Sequence, residues 1–285
     1  MKVLLSGGCG QLGKALLKSK PKETNLKACS KSELDICNLE QSRKLIRRYA
    51  PDIIINAAAY TAVEKAEEEK EKAYSINADG VRNLSNISLE ENIKLIHIST
   101  DYVFDGFSNS PYKESDETNP LNIYGKSKLQ GEQIASQILG DQLLILRTAW
   151  LYSIDSASFL KTMINLLMKK ESFNVVDDQY GTPTRTASLA RAIYQSIENN
   201  ISGIFHFTDL GDTTWFGFAS AIRELMLEKD PSLNLGVIKP ISHKDYPSKM
   251  KRPSYSILDK DKILSQIKDG HLHWKDSLEL EIKKK

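Results

Sequence analysis

A short apolar run, Lys2-Val3-Leu4-Leu5, ends in Ser6-Gly7-Gly8-Cys9-Gly10-Gln11-Leu12-Gly13 and passes directly into a helix-like segment. So many glycines in eight residues exclude a regular element across the cluster. What remains is a strand, a tight turn and a helix start. The same alternation then recurs. Strands are expected at 2–5, 26–29, 52–56, 95–99 and 143–147, separated by helices near 11–20, 40–49, 67–91 and 123–139. Unbroken apolar runs such as Ile53-Ile54-Ile55 belong to strands buried on both sides. Short strands alternating with longer helices predict an α/β fold, a doubly wound parallel sheet of Rossmann type. After Trp150 the alternation weakens, with helices near 157–170, 184–199 and 214–228 and strands at 173–176 and 204–207. The expected division is a dinucleotide-binding domain over 1–150, with strands contributed from about 172–208, and a smaller α/β substrate-binding lobe mainly over 151–285.

Composition narrows the class. Thirty-nine Lys plus Arg against thirty-seven Asp plus Glu leave a net charge of +2, too balanced for nucleic acid to be the principal partner. No stretch approaches the roughly 18 apolar residues that span a membrane. Three cysteines form neither an even set nor a C-x-x-C pair, which favours a reducing cytoplasm. The five histidines lack metal-ligand spacing, so no metal site is expected.

The glycine cluster fits two registers, Gly7, Gly10 and Gly13 or Gly8, Gly10 and Gly13. Either permits a tight turn, close approach to a pyrophosphate and an anion at the helix N-terminus. About 20 residues on, where an acidic side chain would bond a ribose 2′-hydroxyl and repel a 2′-phosphate, stand Ser30 and Lys31. A hydroxyl beside a cation removes that repulsion, so NADPH is expected to be accepted as well as NADH. Lys31 is equally readable as an ordinary exposed lysine. Asn56-Ala57-Ala58-Ala59 places small residues at the end of the third strand, where a cofactor would cross the sheet edge or the core would pack.

Ser99-Thr100-Asp101-Tyr102-Val103-Phe104-Asp105-Gly106 closes the fourth strand, and Tyr124-Gly125-Lys126-Ser127-Lys128 opens the next helix. Residues four apart share a helix face, so Tyr124 and Lys128 can act on one bound molecule. Reducing a ketone needs a hydride on carbon and a proton on oxygen in fixed geometry. Tyr124 can give the proton, Lys128 can favour its phenolate, and Thr100 can bond the substrate oxygen. The long turn-rich segment 106–122 that follows is expected to be functional.

Together these motifs resemble the extended short-chain dehydrogenase/reductases. Within that superfamily, the 99–106 segment, Pro120-Leu121-Asn122, Arg147-Thr148-Ala149-Trp150 and Asp178-Gln179-Tyr180-Gly181-Thr182-Pro183-Thr184 resemble the dTDP-4-dehydrorhamnose reductase family over nearly the whole chain. The resemblance implies NAD(P)H-dependent reduction of the 4-keto group of dTDP-4-dehydro-β-L-rhamnose, the last step of dTDP-L-rhamnose synthesis. It further implies that Gly10, Gln11 and Leu12 face the pyrophosphate, Asp35 and Ile36 the adenine, and Ala59, Tyr60 and Thr61 the cofactor further along. Thr100, Asp101, Tyr124 and Trp150 would meet the sugar nucleotide, with Arg252 on its diphosphate. Trp150 also reads as a core aromatic, and Arg252 as an exposed structural arginine.

Some relatives join subunits through a metal held by glutamates, one of them in the first helix. Lys14-Ala15 offers none, so any homodimer is expected to lack that bridge. Two other readings compete. Dehydratases of the superfamily carry Thr-Asp-Glu, and Tyr102 in the third place disfavours elimination, leaving another reductase or epimerase as the neighbouring reading. A non-catalytic regulatory subunit, like the β subunit of methionine adenosyltransferase, would not require Thr100, Tyr124 and Lys128 together.

Overall fold

The computed structural model describes residues 1–169, 172–248, 250–268 and 271–284. Lys170, at the end of the helix expected near 157–170, lies outside them. The chain begins β1 (Lys2–Ser6), α1 (Gln11–Ser19), β2 (Asn25–Ala28), α2 (Leu39–Tyr49), β3 (Ile53–Asn56), α3 (Lys70–Tyr74), α4 (Gly80–Glu90), β4 (Lys94–Thr100), α5 (Ile123–Leu139) and β5 (Leu143–Thr148). It continues β6 (Leu151–Tyr152), α6 (Phe159–Met168), β7 (Phe173–Val176), β8 (Tyr180–Gly181), β9 (Thr184–Arg185), α7 (Thr186–Glu198), β10 (Gly203–His206), β11 (Thr213–Thr214), α8 (Trp215–Lys229), β12 (Ile238–Ile241), α9 (Asp261–Leu264) and α10 (Trp274–Ile282).

Six parallel strands form the main sheet in the order β10-β5-β4-β3-β1-β2. Alternation of side chains along each strand feeds two cores. Val3, Leu5, Ile53 and Ile55 pack with Leu12 and Leu16 of α1 and Leu189 and Ile193 of α7. Leu4, Ile54 and Leu95 turn the other way, onto Ile46 of α2, Leu84 of α4 and Ala135 of α5. Each such buried Val, Leu or Ile side chain contributes about 1.5–3 kcal/mol. This is the doubly wound α/β fold expected from the strand pattern. Strand order reverses between β1 and β3, which opens a crevice beyond their carboxyl ends.

The helix expected across 67–91 is broken. A 3₁₀ turn at Lys65–Glu67, α3, a π-helical turn at Ser75–Asp79 and α4 follow one another instead. The wider turn aims Asn77 inward: its Oδ1 accepts the Tyr60 N–H at 2.8 Å, and its Nδ2 donates to the Tyr60 carbonyl at 3.2 Å and to Ser127 Oγ at 3.0 Å. Periodicity does not carry that demand, because its partners lie on other elements.

Of the two strands expected after Trp150, β10 joins the main sheet, whereas β7 pairs with β12 in a separate ribbon. β12 contains Pro240, suited to an edge position, and it escapes a pattern search for that reason. A third core of Tyr152, Leu160, Met163, Phe218, Ile222, Trp274 and Leu278 unites α6, α8 and α10.

Candidate active site

One cleft of about 920 Å³ runs along the carboxyl ends of the strands from the glycine turn to Trp150. At its first end Gly7 turns at φ +73°, and a Cβ there would lie 2.7 Å from the Ala57 and Ala58 backbone. Only glycine meets both conditions. Gly10 caps α1 without a side chain, and no acidic residue stands in the first turn. Amides at that helix start therefore remain available to an anion. Gln11 Oε1, Ser99 Oγ and Thr148 Oγ1 are buried without hydrogen-bond partners, and all three residues line the cleft. A bare helix N-terminus with orphaned polar atoms around it fits a dinucleotide.

Gly7, Gly10, Gln11, Leu12, Gly13, Lys31, Asp35, Ile36, Ala59 and Thr61 all line this cleft. Ser30 and Tyr60 are not among its lining residues. The Ser30 hydroxyl and N–H both donate to Glu33 Oε2 at 2.8 Å, which holds the Glu33 carboxyl below its usual range. The Ser30 hydroxyl is thus already engaged by an acid three residues on, while Lys31 beside it lines the cleft. Tyr60 is buried, with its hydroxyl 3.2 Å from Glu69 and its backbone held by Asn77.

Thr100, Asp101, Tyr124 and Lys128 meet in the middle of the cleft. Asn122 caps α5 by accepting the Gly125 N–H at 2.8 Å, and glycine at 125 is required because a Cβ would run into the Tyr102 carbonyl. This close approach seats Tyr124 beside Thr100. Burial, with Asp101 and Tyr102 nearby, raises the Tyr124 phenol above its ordinary range, while a hydrogen bond with Thr100 opposes the rise. The phenol therefore stays protonated, as a proton donor must. Thr100 Oγ1 donates to Asp101 Oδ1 at 2.9 Å, and burial pushes the Asp101 carboxyl up to about 6. Lys128 is 2% exposed, and its Nζ donates to the Ile98 carbonyl at 2.6 Å. Burial brings its ammonium down to about 8, with Glu132 opposing. Burial, Thr100, Asp101 and Tyr102 thus set the proton affinity of the Tyr124 phenol.

At the far end Trp150 holds a positive φ of 48°, a costly conformation for a bulky residue. Its indole stacks on Trp215 at 3.5 Å, and Gly181 leaves room beneath it. Trp150 is thus both a cleft wall and part of the lobe's aromatic core. Asp155, Ser156, Ala157 and Lys161 complete this end, although none stood out in the sequence. Arg252 does not line the cleft: its guanidinium bonds Glu64 at 2.8 Å and acts on Tyr102. Among the described residues no group of three or more His, Cys, Asp or Glu could hold a metal ion.

The fold and this cleft define the class: a Rossmann-type oxidoreductase of the extended short-chain dehydrogenase/reductase type. The chain belongs to the family described as the RmlD substrate binding domain, whose model matches residues 1–285. It is 38% identical over 270 residues, 92% of each chain, to the dTDP-4-dehydrorhamnose reductase of Aggregatibacter actinomycetemcomitans. The solved dTDP-4-dehydrorhamnose reductase of Clostridium acetobutylicum superposes with a TM-score of 0.93 at 38% identity, covering 99% of both chains. That of Bacillus anthracis, in complex with NADP, gives 0.93 at 36% identity over 100% of this chain and 99% of its own.

Proposed function

We propose that this chain reduces the 4-keto group of dTDP-4-dehydro-β-L-rhamnose to dTDP-β-L-rhamnose with NADPH or NADH, completing dTDP-L-rhamnose synthesis. The observation that carries this reading is the continuity of one cleft from the glycine turn, past Thr100, Tyr124 and Lys128, to Trp150. Relatives named for this reaction match the chain almost end to end. Gly7, Gly10, Gln11, Leu12 and Gly13 hold the pyrophosphate, Asp35 and Ile36 border the adenine, and Ala59 and Thr61 the remainder of the dinucleotide. A reduced nicotinamide bound there supplies the hydride that adds to C4.

Tyr124 gives its phenolic proton to the keto oxygen as the C=O double bond becomes C–O–H. Its raised proton affinity keeps it loaded for that transfer. Thr100 bonds the oxygen, Asp101 meets the sugar nucleotide, Trp150 walls the sugar, and Lys128 orients the ribose and restores the proton. Arg252 reaches a substrate diphosphate only by leaving Glu64. Residues 1–150 with β10 serve as the cofactor domain, and 151–285 supply mainly the substrate lobe. We further read the enzyme as cytoplasmic and independent of nucleic acid, with any homodimer free of a metal bridge. Among the described residues no helix is long and apolar enough to cross a membrane.

The test supplies dTDP-4-dehydro-β-L-rhamnose with each coenzyme and follows the nicotinamide absorbance. Oxidation with at least one is expected; no oxidation with either rejects the reading.

A further inference from the structure

A buried chain of hydrogen bonds crosses the sheet behind Lys128. Asn56 Oδ1 accepts from Ser6 Oγ at 2.7 Å and from the Ala58 N–H at 3.2 Å. A backbone N–H can only donate, so the Asn56 atom it meets must be the amide oxygen. The Nδ2 group is then the one that lies 3.1 Å from His97 Nδ1. An amide NH₂ also only donates. His97 Nδ1 is therefore a bare acceptor, and the single ring hydrogen sits on Nε2. That Nε2–H faces Lys128 Nζ at 3.4 Å. Ser6, Asn56 and His97 are all fully buried, which shields the chain from water.

We propose that Asn56 and His97 form a positioning pair whose locked imidazole tautomer turns an N–H toward Lys128 and so adds to the balance against its charged form at the cleft. Of the three ammonium hydrogens, one goes to the Ile98 carbonyl. An Nε2–H accepts none, so the other two are left for the cleft. The same N–H dipole opposes a cation and welcomes a neutral amine, which can accept from it.

The other ionisable groups around Lys128 leave His97 this role. Tyr124 and Glu132 come from its own helix, and Asp101 from the turn after β4. Glu132 favours the ammonium, but Arg147 of β5 pairs with it at 2.7 Å. His97 itself is held neutral, its proton affinity depressed by burial and by Lys128. The use of Lys128 in turnover rests on the reductase reading; the tautomer does not.

Histidine ¹⁵N labelling with long-range ¹H–¹⁵N correlation reads the tautomer in the wild-type protein. His97 is expected to remain neutral with its hydrogen on Nε2 from about pH 6 to pH 9. A hydrogen on Nδ1, or titration within that range, overturns the proposal. The Lys128 ¹³Cε resonance supplies the second readout, in wild type and in His97→Gln, whose amide can turn its oxygen to the lysine. The titration midpoint should rise by about one pH unit in the variant. An unmoved midpoint in folded His97→Gln overturns the tuning role. Neither readout needs turnover, so their failure is distinguishable from failure of the keto-sugar assay.

Discussion

Residue-scale chemistry separates the proton donor from the coenzyme selector. Tyr124 is pressed upward in proton affinity by burial and by Asp101, so Tyr124→Phe should retain cofactor binding while kcat falls roughly 10²- to 10⁴-fold. Rapid kinetics with a coenzyme-binding titration checks both halves. Ser30 is the contrary case. Its hydroxyl is spent on Glu33, which puts a carboxylate beside the Ser30–Lys31 pair that was expected to tolerate a 2′-phosphate. Glu33→Gln should lower KM for NADPH several-fold relative to NADH, because a negative charge is lost while the Ser30 hydrogen bonds are kept. Equal change with both coenzymes in steady-state kinetics would mean that Glu33 only shapes the turn. The serine and lysine were legible in the sequence; the engagement of the serine by a third residue was not, because it arises from the turn's folded geometry.

At the scale of elements, α5 is the part on which the site turns. Its cap, Asn122, and its close contact at Gly125 with the Tyr102 carbonyl fix where Tyr124 points. Gly125→Ala must push the helix start away, and misplacement of about 1 Å is worth about 10²-fold in rate. Activity should fall by that order, with the chain still folded by circular dichroism. Unimpaired turnover would show that α5 adapts. The i,i+4 relation of Tyr124 and Lys128 was readable because both lie on one helix after one strand. His97 and Asn77 were not readable. His97 is a polar residue inside an apolar strand and Asn77 sits in a π-helical turn, and the partners of each come from other parts of the chain.

For the whole molecule, the C-terminal segments lock onto the cofactor sheet through buried polar groups. Arg185 Nε pairs with Glu281 of α10 at 2.7 Å, while its N–H is accepted by Asp209, three residues past β10. Burial raises the Asp209 carboxyl to about 6 from an ordinary 3.8. The folded state therefore binds that proton more tightly than the unfolded chain, so this contribution is complete below pH 4 and is lost as pH rises through 6. Asp209→Asn lacks the loss. Relative to wild type, the variant should gain on the order of 2–3 kcal/mol between pH 4 and pH 7. Denaturant unfolding at the two pH values measures it, and a constant difference would contradict the assignment. The doubly wound sheet was legible because its strands alternate regularly with helices. The lobe's β7–β12 ribbon was not, because its strands are far apart in sequence and one carries a proline.

In the proposed reaction this cleft brings hydride to C4 and the Tyr124 proton to its oxygen. Incubation of dTDP-4-dehydro-β-L-rhamnose with NADPH deuterated at the transferred position tests it most directly, in wild type beside Tyr124→Phe. Wild type should yield dTDP-β-L-rhamnose carrying one deuterium at C4, and the variant should be slower by about 10² or more. Product without deuterium at C4, or equal rates from the two proteins, would contradict it.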